Sequence, residues 1–277
     1  MKVLLTGASS YVGARLFFDL SRDFNITGTY YGTRLSDKFI HLNITDRQEI
    51  NNLLSKLKPD FIIHATANAN ARWCEANPKS AIALNQESTK FIVRSANEYG
   101  AKVVLVSSFA AIHPHNIYSN TKRQSELYVQ DTERGYVILR PSLIIGFSPN
   151  TVNDRPFNRI LKNLDQKTEA VYDTSWEFQP TYLRHISEII KCVLERPIVN
   201  EIIPIAVPEL KSRYDIANDI LSEFNIEVRP IDKHDTEPIE TDNLEKLKSL
   251  HLPEYSYDGM IGNIVEEIKN RKLYSSV

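Results

Sequence analysis

Leu4-Leu5-Thr6-Gly7-Ala8-Ser9-Ser10-Tyr11-Val12-Gly13 opens the chain with a short aliphatic run that breaks at a glycine and passes straight into amphipathic spacing. Val12, Leu16 and Leu20 recur once per helical turn, so the stretch reads as strand, tight turn and helix. A turn of this kind brings backbone N–H groups to the positive end of a helix and suits a phosphate or pyrophosphate. Gly7 gives the turn its backbone freedom. Gly13 is expected on the first helical turn, where a side chain would collide with the neighbouring strand. Ser10 stands where a G-x-x-G-x-x-G spacing has its middle glycine, and its hydroxyl is able to donate to phosphate. Ser9, Ser10, Tyr11 and Val12 are therefore candidate cofactor contacts. A turn that needs glycine only for packing is the competing reading. Its place between the first strand and the first helix favours phosphate.

The same rhythm runs on to about residue 145. Short apolar runs at Ile26 to Tyr31, Phe39 to Leu42, Phe61 to Ile63, Val103 to Val106 and Val137 to Leu139 show no polar alternation, as in parallel strands buried on both faces. Helical periods lie between them: Ile50, Leu53, Leu54 and Leu57 follow Asp46, a good N-cap, and a long helix is expected from just beyond Pro78 to Gly100. Strand and helix in strict turn predict an α/β chain with a doubly wound parallel sheet. After Gly146 the pattern loosens into a proline-rich stretch, with helical periods at 186–195, 214–224 and 257–269. Residues 1–146 are expected to form a dinucleotide-binding unit. Residues 147–277 are expected to form a smaller substrate lobe partly interwoven with the sheet.

Composition narrows the functional classes. Among 277 residues, 33 Lys and Arg nearly balance 35 Asp and Glu, so no global basic field gathers nucleic acid or an acidic membrane. Cys74 and Cys192 make neither a disulfide framework nor a zinc spacing. The apolar runs fall far short of the roughly 20 residues that span a bilayer, and Thr6-Gly7 interrupts any signal-peptide core. A soluble cytoplasmic protein acting on a small molecule is the expectation.

Two further constellations carry chemistry. Tyr118 and Lys122 lie one turn apart on one face of an expected helix. A phenol of pKa about 10 is a poor proton shuttle at neutral pH, and a neighbouring ammonium is expected to pull it down. Ser107-Ser108 ends the strand Val103 to Val106, at the carboxyl edge where such sheets bind ligands, and a serine there can hydrogen-bond a developing oxyanion. Beyond the second strand, Tyr31-Gly32-Thr33-Arg34 has no carboxylate for a ribose 2′-hydroxyl before Asp37. Arg34 can neutralise a 2′-phosphate, which favours NADP(H) with NAD(H) possible, or it is a solvated loop arginine. His113 and His115 flank Pro114 without a third ligand, so no metal is expected. His64 reads as a satisfied core histidine, and packing is the first reading of Trp73, Trp176 and Phe178. Arg155 and Arg159 are candidates for a nucleotide diphosphate.

On these residues the chain resembles the extended short-chain dehydrogenases/reductases, within them the dTDP-4-dehydrorhamnose reductase-like branch, over nearly its whole length. The resemblance rests on Thr6-Gly7 to Gly13, Pro59 to Ala65 as fourth strand, and Cys74-Glu75 with Pro78, Ala81 and Asn85. It continues through Ser107-Ser108, Tyr118 to Lys122, Glu126, Leu139-Arg140-Pro141 to Gly146, Pro180-Thr181 and Thr241 to Leu247. It implies a Rossmann-type fold, with Tyr118 as general acid, Lys122 as its tuner and ribose anchor, and Ser108, or less readily Ser107, as donor to the substrate oxygen. It further implies that Asn85 supports the lysine, that Asn43 and Ile44 flank the adenine, and that Ala65, Thr66 and Ala67 lie against the cofactor. The implied substrate is a nucleotide-linked keto sugar and the implied assembly a possible homodimer through the helices at 79–99 and 118–131.

The chain also departs from that branch. The link between Ser108 and Tyr118 is much shorter, and the segment lining the substrate pocket reads Asn68-Ala69-Asn70-Ala71-Arg72-Trp73, with Arg72 replacing an acid. Asn68, Arg72, His115 and Arg155 are the substrate-side candidates. Epimerases and dehydratases that retain their cofactor share these motifs. The regulatory β subunit of methionine adenosyltransferase resembles the same branch, so a non-catalytic NADP-binding role stays open.

Overall fold

Alternate side chains of the first strand, β1 (Lys2–Thr6), enter opposite layers: Val3 and Leu5 join one buried cluster and Leu4 the other. Burial on both faces is why the run lacks polar alternation. The computed structural model describes residues 1–235 and 239–274. After β1 come α1 (Tyr11–Leu20), β2 (Asn25–Tyr30), β3 (Ile40–His41), α2 (Arg47–Leu57), β4 (Phe61–His64), α3 (Ala71–Ala76), α4 (Pro78–Ala81) and α5 (Ser88–Tyr99). Next are β5 (Lys102–Val106), α6 (Ile117–Gln130), β6 (Tyr136–Pro141), β7 (Ile144–Ile145), α7 (Pro156–Gln166), β8 (Ala170–Asp173), β9 (Glu177–Phe178), β10 (Thr181–Tyr182) and α8 (Leu183–Glu195). The chain continues with β11 (Glu201–Ile205), β12 (Lys211–Ser212), α9 (Arg213–Leu221), β13 (Val228–Ile231), α10 (Glu245–Ser249) and α11 (Tyr257–Lys269).

The central sheet has seven strands in the order β11-β6-β5-β4-β1-β2-β3, all parallel. This is the expected doubly wound, Rossmann-like α/β architecture, and the strand order reverses between β1 and β4, where such sheets open a crevice at their carboxyl ends. Asp46 caps α2 as expected, accepting from Gln48 and Glu49 N–H. Gly100 closes α5 in the left-handed conformation that glycine adopts without strain.

Three elements differ from the sequence reading. Glu201–Ile205 reads as loop because it holds Pro204, yet it forms the seventh strand; β11 is an edge strand, where a missing N–H costs no ladder bond. Pro156 starts a helix rather than breaking one, since the first helical N–H has no intrahelical acceptor. The long helix after Pro78 widens to π-helical geometry over Ile82–Glu87, and this turn carries Asn85.

Of the later residues, β11 joins the central sheet, α8 packs against α1, and three short strand pairs form outside the sheet. β10 pairs with β7 and β13 with β8 in parallel, whereas β12 pairs with β9 antiparallel. A buried ion pair ties the last long helix to the first: Arg15 Nη2 donates to Glu267 Oε1 at 2.7 Å, and Tyr182 Oη donates to the same oxygen at 2.7 Å. Arg15 also donates to Asp19 and to the Phe147 carbonyl, so little of its donor capacity stays unused in a site 1 % exposed.

Candidate active site

Gly7, at φ 71°, turns the chain after β1, and a Cβ there would stand 2.8 Å from Thr66 Oγ1. A Cβ on Gly13 would stand 2.0 Å from the Gly7 carbonyl oxygen. The obstacle at Gly13 is thus the turn's own backbone, not the neighbouring strand that the sequence reading expected. Ser10 caps α1, its Oγ accepting from Gly13 N–H at 3.0 Å. Its hydroxyl oxygen organises the turn while its proton stays available to a ligand. Tyr11 and Val12 occupy the first two helical positions, whose N–H groups lack intrahelical acceptors, and both line the cleft beside Ser10. Ser9 Oγ is buried without a partner among the described residues. Two positions closed to side chains, open N–H groups and an orphan hydroxyl fit a pyrophosphate group.

The cleft has a volume of about 1210 Å³. Ala65 and Ala67 line it just past β4, and Thr66 packs against Gly7. His64 sits beneath with both ring nitrogens engaged, Nδ1 at 2.8 Å from Thr6 Oγ1 and Nε2 at 3.1 Å from Thr89 Oγ1. Burial, then the Lys122 charge, pushes its pKa down to about 3, so the imidazole is neutral. Asn85 grips the Asn68 peptide from both sides: Oδ1 accepts Asn68 N–H at 2.8 Å and Nδ2 donates to Asn68 O at 3.0 Å. Asn85 makes no hydrogen bond to Lys122. Its support for the Tyr118 helix runs instead through Thr121 Oγ1, 3.4 Å from Nδ2, and through its own carbonyl, which accepts from Ser125.

Tyr118 and Lys122 both face the cleft from α6, whose N-terminus is set by a capping box between Asn116 and Ser119. Lys122 Nζ donates to the Val106 carbonyl at 2.8 Å. Burial lowers its pKa to about 8, with the Glu126 charge opposing. The Tyr118 phenol is raised rather than lowered, chiefly by burial, while the Ser108 hydroxyl and the Arg155 charge act in the opposite sense. The sequence argument that the lysine pulls the phenol down is therefore not what the geometry supports. The two serines divide their roles. Ser107 Oγ donates to buried Glu126 at 2.7 Å, and Glu126 also holds Arg140 through both carboxylate oxygens, at 2.9 and 2.6 Å. Ser108 caps the short 3₁₀ turn Phe109–Ala111 and opens toward Tyr118.

Other expected residues are not brought into the cleft lining. Arg72 is exposed in the first turn of α3, and Ala69 and Ala71 line the cleft there instead. The Asn68 side chain accepts from Asn70 N–H at 3.0 Å rather than facing substrate. Ile44 is buried in the core beside Leu42, and Asn43 Oδ1 is occupied by Thr45, so this pair packs locally in place of flanking open space. Tyr31 is 65 % exposed against His41. Arg34 lies over the Tyr30 ring at 5.8 Å and donates to the carbonyls of Ser36 and Asp37. His113, His115 and Arg155 do line the cleft. Arg159 is turned away, paired to Asp154 at 2.6 and 2.7 Å. Among the described residues there is no group of three or more metal-ligand side chains, and no helix is long and apolar enough to cross a membrane.

Several lining residues carried no sequence signal. Arg213, His234, Asp235 and Glu240 reach the cleft from after the seventh strand, whereas Asp242, which also lines it, belongs to the Thr241 to Leu247 stretch quoted for the resemblance. Trp176 is both packed and lining: it lies 4.9 Å from the Phe178 ring and under the Arg213 guanidinium at 4.9 Å. Arg213 heads α9 behind a Ser212–Asp215 capping box, a pattern that reads as helix start and nothing more.

The family model described as RmlD substrate binding domain matches residues 1–246. The β subunit of methionine adenosyltransferase 2 from Xenopus laevis is 24 % identical over 251 residues, 83 % of this chain and 75 % of that protein. Among solved structures, dTDP-4-dehydrorhamnose reductase from Bacillus anthracis in complex with NADP superposes with a TM-score of 0.80 at 19 % identity, covering 96 % of this chain and 99 % of that one. UDP-glucose 4-epimerase from Thermotoga maritima with UDP-glucose superposes with a TM-score of 0.84 at 15 % identity, covering 98 % and 100 %.

Proposed function

The chain belongs to the RmlD substrate binding domain family, and from that premise we propose that it is an NADP(H)-dependent oxidoreductase reducing the carbonyl of a nucleotide-linked keto sugar. One observation carries the reading: Tyr118, Ser108 and Lys122 share a single cleft with the first-turn residues of α1. These residues would hold a nicotinamide dinucleotide, whose chemistry would be hydride transfer.

The protein's own groups manage the oxygen that gains charge. Burial keeps the Tyr118 phenol protonated, the state a proton donor needs in the reductive direction. Ser108, beside it, donates to the same oxygen and stabilises the developing alkoxide. Lys122, held at the end of β5 through Val106, would hold the cofactor's ribose from its place in the cleft. Arg155 lines the same cleft and its charge reaches Tyr118, which supports its role as a partner for a substrate phosphate. Bound NADP in the Bacillus anthracis reductase and bound NAD in the Thermus thermophilus UDP-glucose 4-epimerase support a nicotinamide dinucleotide here, with NADP(H) preferred for Arg34 and NAD(H) the alternative.

The test is consumption of NADPH with a panel of dTDP- and UDP-linked 4-keto sugars, using wild type and Tyr118→Phe. Turnover with at least one sugar, lost by a factor of roughly 10² to 10⁴ in the variant, is the expected outcome. Turnover that survives the loss of the phenol sinks it. The long similarity to the methionine adenosyltransferase β subunit favours a second reading, a regulatory subunit that keeps the cofactor site. In that case no sugar consumes NADPH, Tyr118→Phe leaves biological activity intact, and a partner chain co-purifies. An epimerase that returns its hydride would convert sugar with no net NADPH change.

A further inference from the structure

The phosphate turn is held by a segment that follows it by more than a hundred residues. Ser148 Oγ donates to the Tyr11 carbonyl at 2.6 Å, and Asn150 Nδ2 donates to the Ser9 carbonyl at 2.6 Å. In return the Tyr11 hydroxyl donates to the Gly146 carbonyl. Ser148 and Asn150 are 0 % and 2 % exposed; the Ser148–Tyr11 and Tyr11–Gly146 bonds are buried and the Asn150–Ser9 bond partly so.

Their direction matters. In a trans peptide the C=O and N–H vectors are opposed, so fixing one aims the other. Holding the Tyr11 carbonyl aims the Val12 N–H, and Val12 lines the cleft. Holding the Ser9 carbonyl aims the Ser10 N–H, which closes the turn on the Gly7 carbonyl at 2.9 Å. The clamp is itself braced. Asn150 Oδ1 accepts from Val152 and Asn153 N–H, and Asn158, in the first turn of α7, donates to the carbonyls of Asn150 and Asn153 at 3.1 and 2.8 Å. Arg155 heads that same helix.

We propose that Ser148 and Asn150 are positioning residues for dinucleotide phosphate binding, supplying from the second lobe the order that the missing middle glycine does not. The proposal rests on the reading of Gly7 to Gly13 as a dinucleotide turn. Since Arg155 stands on the braced segment, affinity for NADP(H) is set by the same piece of chain that meets the substrate.

The experiment titrates full-length protein with NADPH, comparing wild type, Ser148→Ala and Asn150→Asp, and measures kcat and KM wherever turnover is found. Asn150→Asp keeps the oxygen that accepts from Val152 and Asn153 but sets a charged acceptor against the Ser9 carbonyl, so Asn150→Ala, which removes the donor without adding charge, is compared with it and must weaken NADPH as well. Each variant should weaken NADPH about tenfold, while kcat at saturating NADPH falls far less than the affinity. A packing role alone would lower the melting temperature without that split. Folded variants that bind NADPH like wild type, or that lose kcat and affinity in parallel, overturn the proposal and leave the cofactor reading standing. Wild type that binds neither NADP(H) nor NAD(H) overturns the cofactor reading, and the proposal falls with it. If Ser148→Ala does not fold, the two Asn150 variants decide alone.

Discussion

Lys122 Nζ donates to the Val106 carbonyl at 2.8 Å and makes no hydrogen bond to Tyr118. The ammonium is thereby tied to the carboxyl end of β5, and its environment is the buried floor of the cleft. Burial brings its pKa to about 8, with Glu126 opposing, so the positive charge is lost as pH rises through that value. NADPH-dependent reduction should therefore decline above about pH 8. Glu126→Gln removes the opposing charge and should move that limb to lower pH. A pH profile of kcat/KM on both proteins checks it; a limb that stays put belongs to another group.

Ser107 and Ser108 should behave differently although they are neighbours. Ser107→Ala takes a donor from buried Glu126, so it should lower stability by about 1–3 kcal/mol, read by denaturant unfolding. Ser108→Ala leaves the core intact and should reduce kcat by roughly 10²-fold with little change in unfolding. The opposite pattern would exchange their roles.

Glu126 is fully buried and Arg140 only slightly exposed, and their bidentate pair joins α6 to β6. Arg140→Met leaves that carboxylate buried with only its Ser107 bond and a looser contact to Arg123 at 3.7 Å. The expected cost is about 3–5 kcal/mol of unfolding free energy, because an uncompensated charge is then held out of water. A loss below 1 kcal/mol, about the worth of a surface pair, would show that water reaches Glu126.

His64 links pH to stability. Its folded pKa is near 3, whereas a histidine in the unfolded chain titrates near 6.5. Between those values the unfolded state binds more protons, so stability is full above about pH 6.5 and falls as pH drops toward 3. His64→Asn should unfold more easily at pH 7, since Thr6 and Thr89 lose a partner, yet lose less further stability on going to pH 4.5. Urea unfolding at the two pH values measures both effects. Equal slopes for variant and wild type would assign acid sensitivity elsewhere.

Arg34 is the proposed discriminator between the two dinucleotides. It is half exposed beyond the end of β2, stacked near Tyr30, with Asp37 at 3.5 Å as a weak surface partner. Such a pair is readily given up for a phosphate. Arg34→Ser should weaken NADPH about tenfold and leave NADH nearly unchanged, measured by parallel titration. Equal weakening of both would return Arg34 to a structural loop role.

Most of the fold is legible in the sequence. Unalternating apolar runs such as Phe61 to Ile63 follow from burial on both faces, and the period of Val12, Leu16 and Leu20 follows from helix geometry; both are local properties of a chain. The exceptions are prolines, because Pro156 and Pro204 are acceptable only at a helix start and on an edge strand, and which strand lies at the edge is a tertiary fact. The Tyr118, Lys122, Ser108 and Gly7 to Gly13 cluster was legible for the same reason, each being a short spacing on one element.

Spacing alone determined the parallel sheet, the glycine turn between β1 and α1 and the face that Tyr118 and Lys122 share. Only the tertiary structure decided that burial raises the Tyr118 phenol, that Ser107 serves Glu126 while Ser108 opens to the cleft, and that Ser148 and Asn150 hold the turn. These outcomes depend on desolvation and on hydrogen-bond direction between residues distant in the chain, and no short spacing on one element fixes either of them.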